Sequence, residues 1–340
     1  MNIIIPMAGW GTRLRPHTLT VPKPLLKVAG KTVTQRLIDE LIRSAGEKPA
    51  QIVFIIKPEF GPAIEKMLKD ITAGYGIPAR IVYQNEALGT AHAVYMAKDY
   101  LQGPVFIAYA DTLFKGDIRL DPKADAVIFV KKVKNPEQFG VVQLDESGKK
   151  IVRFVEKPKE FVSDLAIIGI YYFKKGENLR DEIQYLIDND IKKSGEYQLT
   201  DALIALLNKN HIFRPASIDR WMDFGNKNAV LQSLKEILDI EYREGSLPEP
   251  RPVRMENSIL HPPVYIGEGV VLKNAEIGPY AAVENGTVIE NSQIKNSLIG
   301  RETEIKNARL ENSMLGNYVK IDMTGSHPSL DLGDYSKIGY

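Results

Sequence analysis

The feature of this sequence that most restricts its possible folds is the regular spacing of aliphatic residues in its C-terminal part. An aliphatic residue returns there at every fifth or sixth position, with small residues, Gly or Asn between. The residues concerned are Ile266, Leu272, Ile277, Val283, Ile289, Ile294, Ile299, Ile305, Leu310, Leu315 and Ile321. An α-helix repeats about every 3.6 residues and a strand about every 2, so neither produces this spacing. A coil with three flat faces does, because each face turns one aliphatic residue inward, and about four such coils fit into this part of the chain.

The chain begins with a pattern that is typical of an anion-binding turn. Residues 2–5 form a short apolar run rich in β-branched side chains, as in a buried strand. The run leads into residues 8–12, Ala-Gly-Trp-Gly-Thr, whose glycines allow a sharp turn and bring backbone N–H groups towards a ligand. Arg13, Arg15 and Lys23 then supply cationic side chains suited to phosphate oxygens. The pattern is neither GxGxxG nor a Walker A motif, and on spacing alone a turn with ordinary surface cations explains it equally well.

From the first strand to about Asp111, predicted strands alternate with predicted helices. Helical patterns cover residues 33–44, 62–71 and 90–101, and strand patterns cover residues 51–56, 79–83 and 105–109. This alternation indicates a mostly parallel sheet with helices on both faces. Ligands of such sheets bind beyond the carboxyl ends of the strands, so the turns after residues 5, 83 and 109 are expected to converge.

The middle of the chain has a different pattern and leads to a linker. Strands are predicted at residues 126–132, 140–144, 151–155, 165–173 and 212–218, and helices at residues 177–188, 199–208 and 226–242. Strands joined by short turns suggest an antiparallel or mixed extension of the sheet. Residues 245–252 contain three prolines and predict a linker. We therefore expect two domains, residues 1–245 and residues 253–340.

Two motifs near the N-terminus resemble the signature of a known family. Ala8-Gly9-Trp10-Gly11-Thr12-Arg13 and Pro22-Lys23-Pro24-Leu25 resemble, in residues and spacing, the signature of the sugar-1-phosphate nucleotidylyltransferases. The C-terminal spacing resembles the left-handed parallel β-helix of hexapeptide-repeat proteins. The resemblance implies an α/β fold: a Rossmann-like nucleotidyltransferase domain with a mixed, mostly parallel sheet, followed by a short left-handed parallel β-helix.

The resemblance also implies roles for individual residues. The implied catalytic residues are Arg13, Lys23, Asp111 and Asp223, with Mg²⁺ held by the two aspartates. The implied nucleotide-binding residues are Ala8, Gly9, Gly11, Thr12, Gln84, Gly89 and Thr90. The implied sugar-phosphate-binding residues are Gly140, Glu156, Lys157 and Ile168.

The residue types alone support these roles to different degrees. The amide of Gln84 can pair with the edge of a nucleobase, and carboxylate oxygens are ligands that Mg²⁺ prefers. Taken singly, however, Asp111 and Asp223 are as readily turn residues. At position 194 this chain has Ser where some thymidylyltransferases have Arg, and Lys192 or Lys193 could make the phosphate contact instead.

The activity implied by the resemblance is nucleotidyl transfer from UTP or dTTP to a sugar 1-phosphate, with glucose 1-phosphate as the expected sugar. Two alternatives stay open. A bifunctional uridylyltransferase and acetyltransferase would need a general base in the repeat, and only His261 and His327 lie there, at its margins. A catalytically inactive regulatory subunit with the same architecture would have lost Arg13, Lys23 or an aspartate, and this chain retains them all.

Composition restricts the possible binding partners and the expected cellular location. A net charge of +1 gives no bulk attraction to nucleic acid or to an anionic membrane. The absence of cysteine excludes disulfides, thiolate metal sites and a Cys nucleophile. No apolar run approaches the roughly 20 residues of a membrane span, and the N-terminal run is too short for a signal peptide, so we expect a cytoplasmic protein. The flat faces and stackable end of a three-faced coil favour a homo-oligomer that assembles through the β-helix.

Overall fold

A computed structural model of the chain describes residues 1–116, 120–249, 253–323, 326–327 and 329–339. The chain forms two compact units. Unit 1 comprises Met1–Gly9 and Gln35–Trp221, and unit 2 comprises Trp10–Thr34 and Met222–Tyr340. Residues 250–252, the last part of the predicted linker, lie outside the described ranges. The domain boundary drawn from the sequence stays a prediction.

The elements before residue 250 are mostly short. The strands are β1 (Asn2–Pro6), β2 (Lys27–Val28), β3 (Lys31–Thr32), β4 (Gln51–Ile56), β5 (Ala79–Tyr83), β6 (Val105–Ala108), β7 (Thr112–Lys115), β8 (Ala126–Lys132), β9 (Gly140–Leu144), β10 (Ile151–Glu156), β11 (Leu165–Phe173), β12 (Phe213–Ser217) and β13 (Arg220–Asp223). The helices are α1 (Val33–Ala45), α2 (Gly61–Ala73), α3 (Thr90–Tyr95), α4 (Gly176–Asp188), α5 (Leu199–Asn208) and α6 (Lys227–Arg243). Single 3₁₀ turns occur at Thr12–Leu14, Lys23–Leu25, Pro58–Phe60, Lys98–Tyr100 and Pro136–Gln138. Within the described ranges, every helix is too short or too polar to cross a lipid bilayer.

Unit 1 is built on a mixed sheet with strand order β10-β9-β11-β6-β1-β4-β5, in which β8 pairs with β11 and β12 pairs with β8. Strands β1, β4, β5 and β6 are parallel, whereas β11 runs antiparallel to β6, β8 and β9. The β1 strand is an unbroken apolar run because both of its faces are buried, and Ile3, Ile4 and Ile5 are each 0% exposed. The predicted Rossmann-like sheet is thereby confirmed; most of its parallel strands come from the N-terminal half, and β12 pairs in parallel with β8.

The C-terminal part of unit 2 consists of very short strands. They are β14 (Arg254–Glu256), β15 (Ile259–Leu260), β16 (Val264–Ile266), β17 (Val271–Lys273), β18 (Glu276–Ile277), β19 (Ala281–Val283), β20 (Val288–Glu290), β21 (Gln293–Lys295), β22 (Leu298–Ile299), β23 (Glu304–Lys306), β24 (Arg309–Glu311), β25 (Met314–Leu315), β26 (Lys320–Asp322), β27 (Ser326–His327), β28 (Asp331–Leu332) and β29 (Lys337–Ile338). These strands form three parallel sheets, with orders β14-β17-β20-β23-β26-β29, β15-β18-β21-β24-β27 and β16-β19-β22-β25-β28. Each sheet takes every third strand, so each coil of the chain has three faces.

The register of the coils explains the aliphatic spacing. Leu272 pairs with Ile289 in the next coil, and Ile289 pairs with Ile305 in the coil after that. All of the regularly spaced aliphatic residues named above lie in one buried core. Asn274 and Asn291 occupy a left-handed corner with φ of 48° and 49°, and the Asn274 side-chain amide donates to Asn291 at 3.0 Å. Asn tolerates this conformation better than other residues with side chains, and the arrangement agrees with the predicted left-handed parallel β-helix.

Candidate active site

The carboxyl ends of the parallel strands of unit 1 meet at one edge of the sheet. The Gln84 backbone N–H, just after β5, donates to the Ile56 carbonyl at the end of β4 at 2.8 Å. The Ala110 N–H, just after β6, donates to the Pro6 carbonyl at the end of β1 at 3.3 Å. The turns that follow β1, β5 and β6 therefore start at the same edge of the sheet, with β4 between β1 and β5, and this is the edge where open α/β sheets bind ligands.

The turn after β5 carries three of the residues expected to bind the nucleotide. Gln84 is 6% exposed. Gly89 has a φ of +110°, and a Cβ there would lie 2.5 Å from the Tyr197 carbonyl oxygen, so only glycine fits. The Thr90 hydroxyl accepts the Leu199 N–H at 2.9 Å. The turn is thus held against the entrance of α5, which no local pattern in the sequence indicated.

A second group of predicted residues meets around Glu156. The Thr200 hydroxyl donates to Glu156 Oε2 at 2.6 Å, and a Cβ on Gly140 would lie 3.0 Å from the same oxygen. We call Gly140, Glu156 and Thr200 the Glu156 cluster. The next residue, Lys157, is exposed and has a φ of +44°, and its N–H donates to the Phe139 carbonyl at 3.1 Å. The Glu156 carboxylate, which is held by the Thr200 hydroxyl, suits a sugar hydroxyl. The Lys157 ammonium, next in the sequence, suits a phosphate.

Strand β11 is irregular where it passes this group. Its register with β8 shifts between Ile167 and Tyr171, as at a β-bulge, a feature that is common next to active sites. Gly169, inside the shift, has a φ of +80° and would bring a Cβ within 3.3 Å of the Tyr109 ring. Its carbonyl accepts the Tyr109 N–H at 2.9 Å. Ile168 is only 2% exposed, so its side chain belongs to the core.

Three polar groups to which the sequence assigned no role in the site, one buried and two half-buried, lie in the same region. The Tyr109 hydroxyl donates to the Thr90 carbonyl at 3.3 Å, and burial raises the pKa of Tyr109. Burial, aided by the charge of Glu156, also raises the pKa of Tyr171. Burial and Glu156 likewise raise the pKa of the Asp201 carboxyl. Tyr109 lies two residues before the predicted metal ligand Asp111, so the sequence indicated its position although not its role.

Unit 2 holds the predicted cations on residues 10–34, which we call the cationic segment. Gly11 is left-handed, with a φ of +73°, and a Cβ there would lie 2.6 Å from the Cβ of Lys23. Lys23 is 8% exposed, whereas Arg13, on the first 3₁₀ turn, is exposed. The glycine at position 11 therefore lets the Lys23 stem pack directly on the turn that carries Arg13.

The remaining residues of the glycine-rich stretch present accessible backbone. Ala8 is half-buried, and Gly9 and Thr12 are exposed. No atom lies within 4 Å of the position that a Cβ on Gly9 would take. A ligand can therefore approach the backbone at Gly9 closely, which is the use of glycine in phosphate-binding turns.

The two candidate metal ligands lie in different units. Asp111 follows β6 in unit 1, and Asp223 ends β13 in unit 2; both are exposed. The Gly225 N–H donates to Asp223 Oδ1 at 3.1 Å, and the Ser233 hydroxyl donates to the Asp223 carbonyl at 2.7 Å. Among the described residues no three His, Cys, Asp or Glu side chains cluster as a metal site. Mg²⁺ commonly takes one or two carboxylates and fills its other positions with water and phosphate oxygens, so two exposed aspartates fit it chemically.

Comparison with known proteins supports the enzyme class that the sequence motifs resemble, the sugar-1-phosphate nucleotidylyltransferases. A relative named glucose-1-phosphate thymidylyltransferase in Streptomyces griseus is 28% identical over 363 aligned positions, which cover 99% of this chain and 99% of the relative. A relative named bifunctional protein GlmU in Methanococcus vannielii is 30% identical over 331 positions, covering 89% of this chain and 75% of the relative. A protein of Oryza sativa subsp. japonica, described as a candidate mannose-1-phosphate guanylyltransferase, is 30% identical over 307 positions, covering 85% of this chain and 78% of the relative.

One solved structure and a family model complete the comparison. A Bacillus anthracis structure, described as a candidate glucose-1-phosphate thymidylyltransferase in complex with a sucrose, matches with a TM-score of 0.58 at 25% identity, covering 68% of this chain and 93% of that chain. The family model described as nucleotidyl transferase matches residues 2–240, well over half of the sequence. The chain therefore belongs to the nucleotidyl transferase family, among transferases of the sugar-1-phosphate nucleotidyltransferase type.

Proposed function

We propose that this chain transfers a nucleotidyl group from UTP or dTTP to glucose 1-phosphate and releases pyrophosphate. The observation that carries the proposal is the packing of the buried Lys23 stem on the left-handed Gly11, on the turn that bears the exposed Arg13. This arrangement supports polyphosphate binding because it gathers an ammonium side chain and a guanidinium at one glycine turn.

The proposed reaction is an in-line displacement in which a phosphate oxygen of the sugar 1-phosphate attacks the α-phosphorus of the nucleotide. The bond from the α-phosphorus to the pyrophosphate oxygen breaks as the new bond forms, so pyrophosphate leaves with the electron pair. The attacking oxygen is already ionised, and no general base is required. The protein's contribution is to orient two anions and to offset their repulsion.

Electrostatics decides which residues matter most. Two unit charges about 4 Å apart repel by roughly 4 kcal/mol at the effective dielectric constant of a partly shielded site. We assign Arg13 to the leaving pyrophosphate and the transition state, Lys23 to the nucleotide phosphates, and Lys157 to the sugar phosphate. Each of these side chains offsets charge that would otherwise keep the substrates apart.

Mg²⁺ is proposed as the metal cofactor, with Asp111 and Asp223 as its protein ligands. When bound, the ion would neutralise phosphate oxygens of both substrates. The exposure of both carboxylates supports this assignment, because each can reach a ligand without first breaking out of the core.

The nucleotide and the sugar rest on different observations. The buried Gln84, in the turn after β5, supports a base contact, and its amide can both donate and accept as a pyrimidine edge requires. The thymidylyltransferase relative agrees with dTTP, and the guanylyltransferase relative is the reason to include GTP in the test. Glu156 supports a sugar contact because its carboxylate can accept hydrogen bonds from sugar hydroxyls.

Self-association through the β-helix is proposed as well. Its support is the stack of three parallel sheets, whose flat faces a second copy can pack against and whose first and last strands have a free pairing edge within their own sheets. Light scattering on the purified chain is expected to give a mass above that of one 38.1 kDa chain. A monomer at all concentrations tested would remove this part of the proposal.

A panel of substrates tests the function. Pyrophosphate release should be measured with UTP, dTTP, GTP and ATP, each against glucose, N-acetylglucosamine, galactose and mannose 1-phosphates, in the presence of Mg²⁺. We expect the highest kcat/KM for UTP or dTTP with glucose 1-phosphate. Each pair needs a control without sugar phosphate, and if no pair exceeds that control the proposed function is wrong.

A further inference from the structure

The cationic segment is attached by side chains to the end of the β-helix. His17 Nε2 lies 2.6 Å from Asp331 Oδ1, and the Thr20 hydroxyl donates to Asp334 Oδ2 at 2.8 Å. Both carboxylates belong to residues 329–334, the part of the last complete coil around β28, and we call these residues the last coil. The His17 side chain is 3% exposed and that of Asp331 is 40% exposed, so the contact is sheltered on one side only. Each bond joins positions 314 residues apart.

A third carboxylate holds the far end of the same segment. Glu284, in an earlier coil, is 4% exposed and accepts the Gly30 N–H at 2.9 Å. Gly30 is left-handed, with a φ of +80°, and a Cβ there would lie 2.4 Å from the Tyr265 hydroxyl. The segment therefore meets the β-helix at both ends, and glycine permits the close approach.

The last coil also contacts the stretch that follows Asp223. The Lys227 ammonium donates to the Ser329 hydroxyl and to the Leu330 carbonyl, each at 3.0 Å. Lys227 is the first residue of α6 and lies four positions after Asp223. One coil is thus bonded both to the segment that carries Arg13 and to the start of the helix behind the proposed metal ligand.

The cationic segment has little structure of its own to hold its side chains in place. Its regular elements are two 3₁₀ turns, the two-residue strands β2 and β3, and the first two residues of α1. Catalysis that works by positioning charges is sensitive to such freedom, since a misplacement of about 1 Å can lower a rate by about a hundredfold. External contacts therefore add to internal bonds, such as that from the Thr18 hydroxyl to the Gly11 carbonyl, in holding the cations of this segment in one arrangement.

We propose that Asp331, Asp334 and Glu284 are positioning residues, which act through His17, Thr20 and Gly30 to hold the cationic segment in its phosphate-binding arrangement. This inference rests on the proposed function and adds to it a role of the β-helix in the chemistry. It concerns only the arrangement of the segment, and none of the three carboxylates is required to touch a substrate. A β-helix that served assembly alone would need none of these contacts.

Two variants, one control and one conservative rescue variant test the proposal in the full-length chain. Asp331→Ala removes the acceptor of His17, and Thr20→Val removes only a hydroxyl at an exposed position. Glu290→Ala is the matched control, because Glu290 is a β-helix carboxylate that pairs within the β-helix, with Lys273 at 3.4 Å and Lys306 at 3.5 Å. Thr20→Ser restores the hydroxyl and should restore the wild-type values.

The first measurement is the KM of each substrate. We expect Asp331→Ala to raise the KM of the nucleoside triphosphate about tenfold and Thr20→Val about threefold, as for a lost hydrogen bond to a charged group. The KM of the sugar 1-phosphate should change much less, because Lys157 and Glu156 lie outside the cationic segment. A loss of structure throughout the protein would instead lower kcat, because less of the enzyme is active, without raising the KM of one substrate selectively.

The second measurement needs no activity. Hydrogen exchange of backbone amides in residues 11–25 should be faster in Asp331→Ala and Thr20→Val and unchanged in Glu290→Ala. Unchanged exchange in both variants, or faster exchange with every kinetic constant unaltered, overturns the proposal. If the wild type releases no pyrophosphate with any pair of the panel, the proposed function fails, and the exchange rates alone decide whether the last coil holds the segment.

Discussion

The glycine turn of the cationic segment and the Glu156 cluster of unit 1 both contain candidate site residues, but their internal hydrogen bonds span very different lengths of chain. In the cationic segment the Thr18 hydroxyl donates to the Gly11 carbonyl, seven residues away, at 2.9 Å. In unit 1 the Thr200–Glu156 bond spans 44 residues. The first region carries exposed charge on a local turn, whereas the second buries polar groups between distant elements. Changes to the first should therefore lower activity with little effect on stability, and changes to the second should lower stability first.

The largest expected effect is a loss of stability at Gly89. An alanine there would combine a φ of +110° with a Cβ 2.5 Å from the Tyr197 carbonyl oxygen, so Gly89→Ala should cost about 4 kcal/mol of unfolding free energy. Gly148→Ala is the control, since Gly148 has a φ of +68° but nothing within 4 Å of a Cβ. Urea titration should show a loss of only about 1 kcal/mol for the control. Equal losses in the two variants would mean that the contact with Tyr197 is unimportant.

The next largest effect is on activity at Arg13. Arg13→Ala should lower kcat/KM for the best substrate pair by at least about a hundredfold, or about 3 kcal/mol, as for other lost anion-stabilising donors. Its unfolding free energy should stay within about 0.5 kcal/mol of the wild type, because the side chain is exposed. Lys27→Ala, an exposed cation in the same segment, should be nearly unchanged in both respects. A comparable loss of activity in the control would break the contrast between the two regions.

A smaller effect is expected in the Glu156 cluster. Thr200→Val removes the 2.6 Å bond to Glu156 and should lower stability by about 1 kcal/mol. The KM of the sugar 1-phosphate should rise, because the Glu156 carboxylate is no longer held in one orientation. Thr200→Ser should retain both properties. Calorimetry and steady-state kinetics on the same samples would show whether stability or binding is lost first.

The smallest effect concerns the pH dependence of stability at Asp201. Burial and the charge of Glu156 raise the pKa of its carboxyl in the folded protein above the value of 3.8 for a free side chain. The folded state therefore binds this proton more tightly, and the resulting stabilisation is lost as the pH rises through the folded pKa. Asp201→Asn should consequently melt at a higher temperature than the wild type at pH 7, and the difference should shrink in acid. A constant difference between pH 3 and pH 8 would contradict this account.

The sequence predicted those parts of the fold whose signal is local. Strands β4, β5, β8, β9 and β11 have the predicted bounds, because each is a run rich in apolar residues. Their burial differs, since β4 is buried at all but its first residue, whereas every residue of β5 is half-buried or exposed. The β-helix core followed from one inward aliphatic residue per face, and all of those residues are buried together. The helix predicted at residues 90–101 is shorter, since α3 ends at Tyr95 and a 3₁₀ turn covers Lys98–Tyr100. Short strands such as β2 and β3 carry too few residues for a periodic signal.

The candidate site residues also fall into those with a local sequence signal and those without one. The glycine turn and its cations form a contiguous motif, so the sequence alone was enough to predict a phosphate-binding turn there. The bond between Thr200 and Glu156 and the contact between His17 and Asp331 have no local signature, because ordinary polar residues become partners only when the chain folds. The roles of all these residues in the reaction stay predictions, and the variants above are their test.

The carboxylates of the β-helix that contact the cationic segment restrict how this enzyme can be recombined with its relatives. A hybrid that joined residues 1–249 to a foreign β-helix would leave donors of the cationic segment without acceptors, unless carboxylates were kept at the positions of Glu284, Asp331 and Asp334. The number of coils matters too, because an added or deleted coil would move the last two of these positions by about 5 Å, the spacing of neighbouring strands. Successful domain exchange would thus require a donor β-helix with the same number of coils and with carboxylates at the equivalent positions.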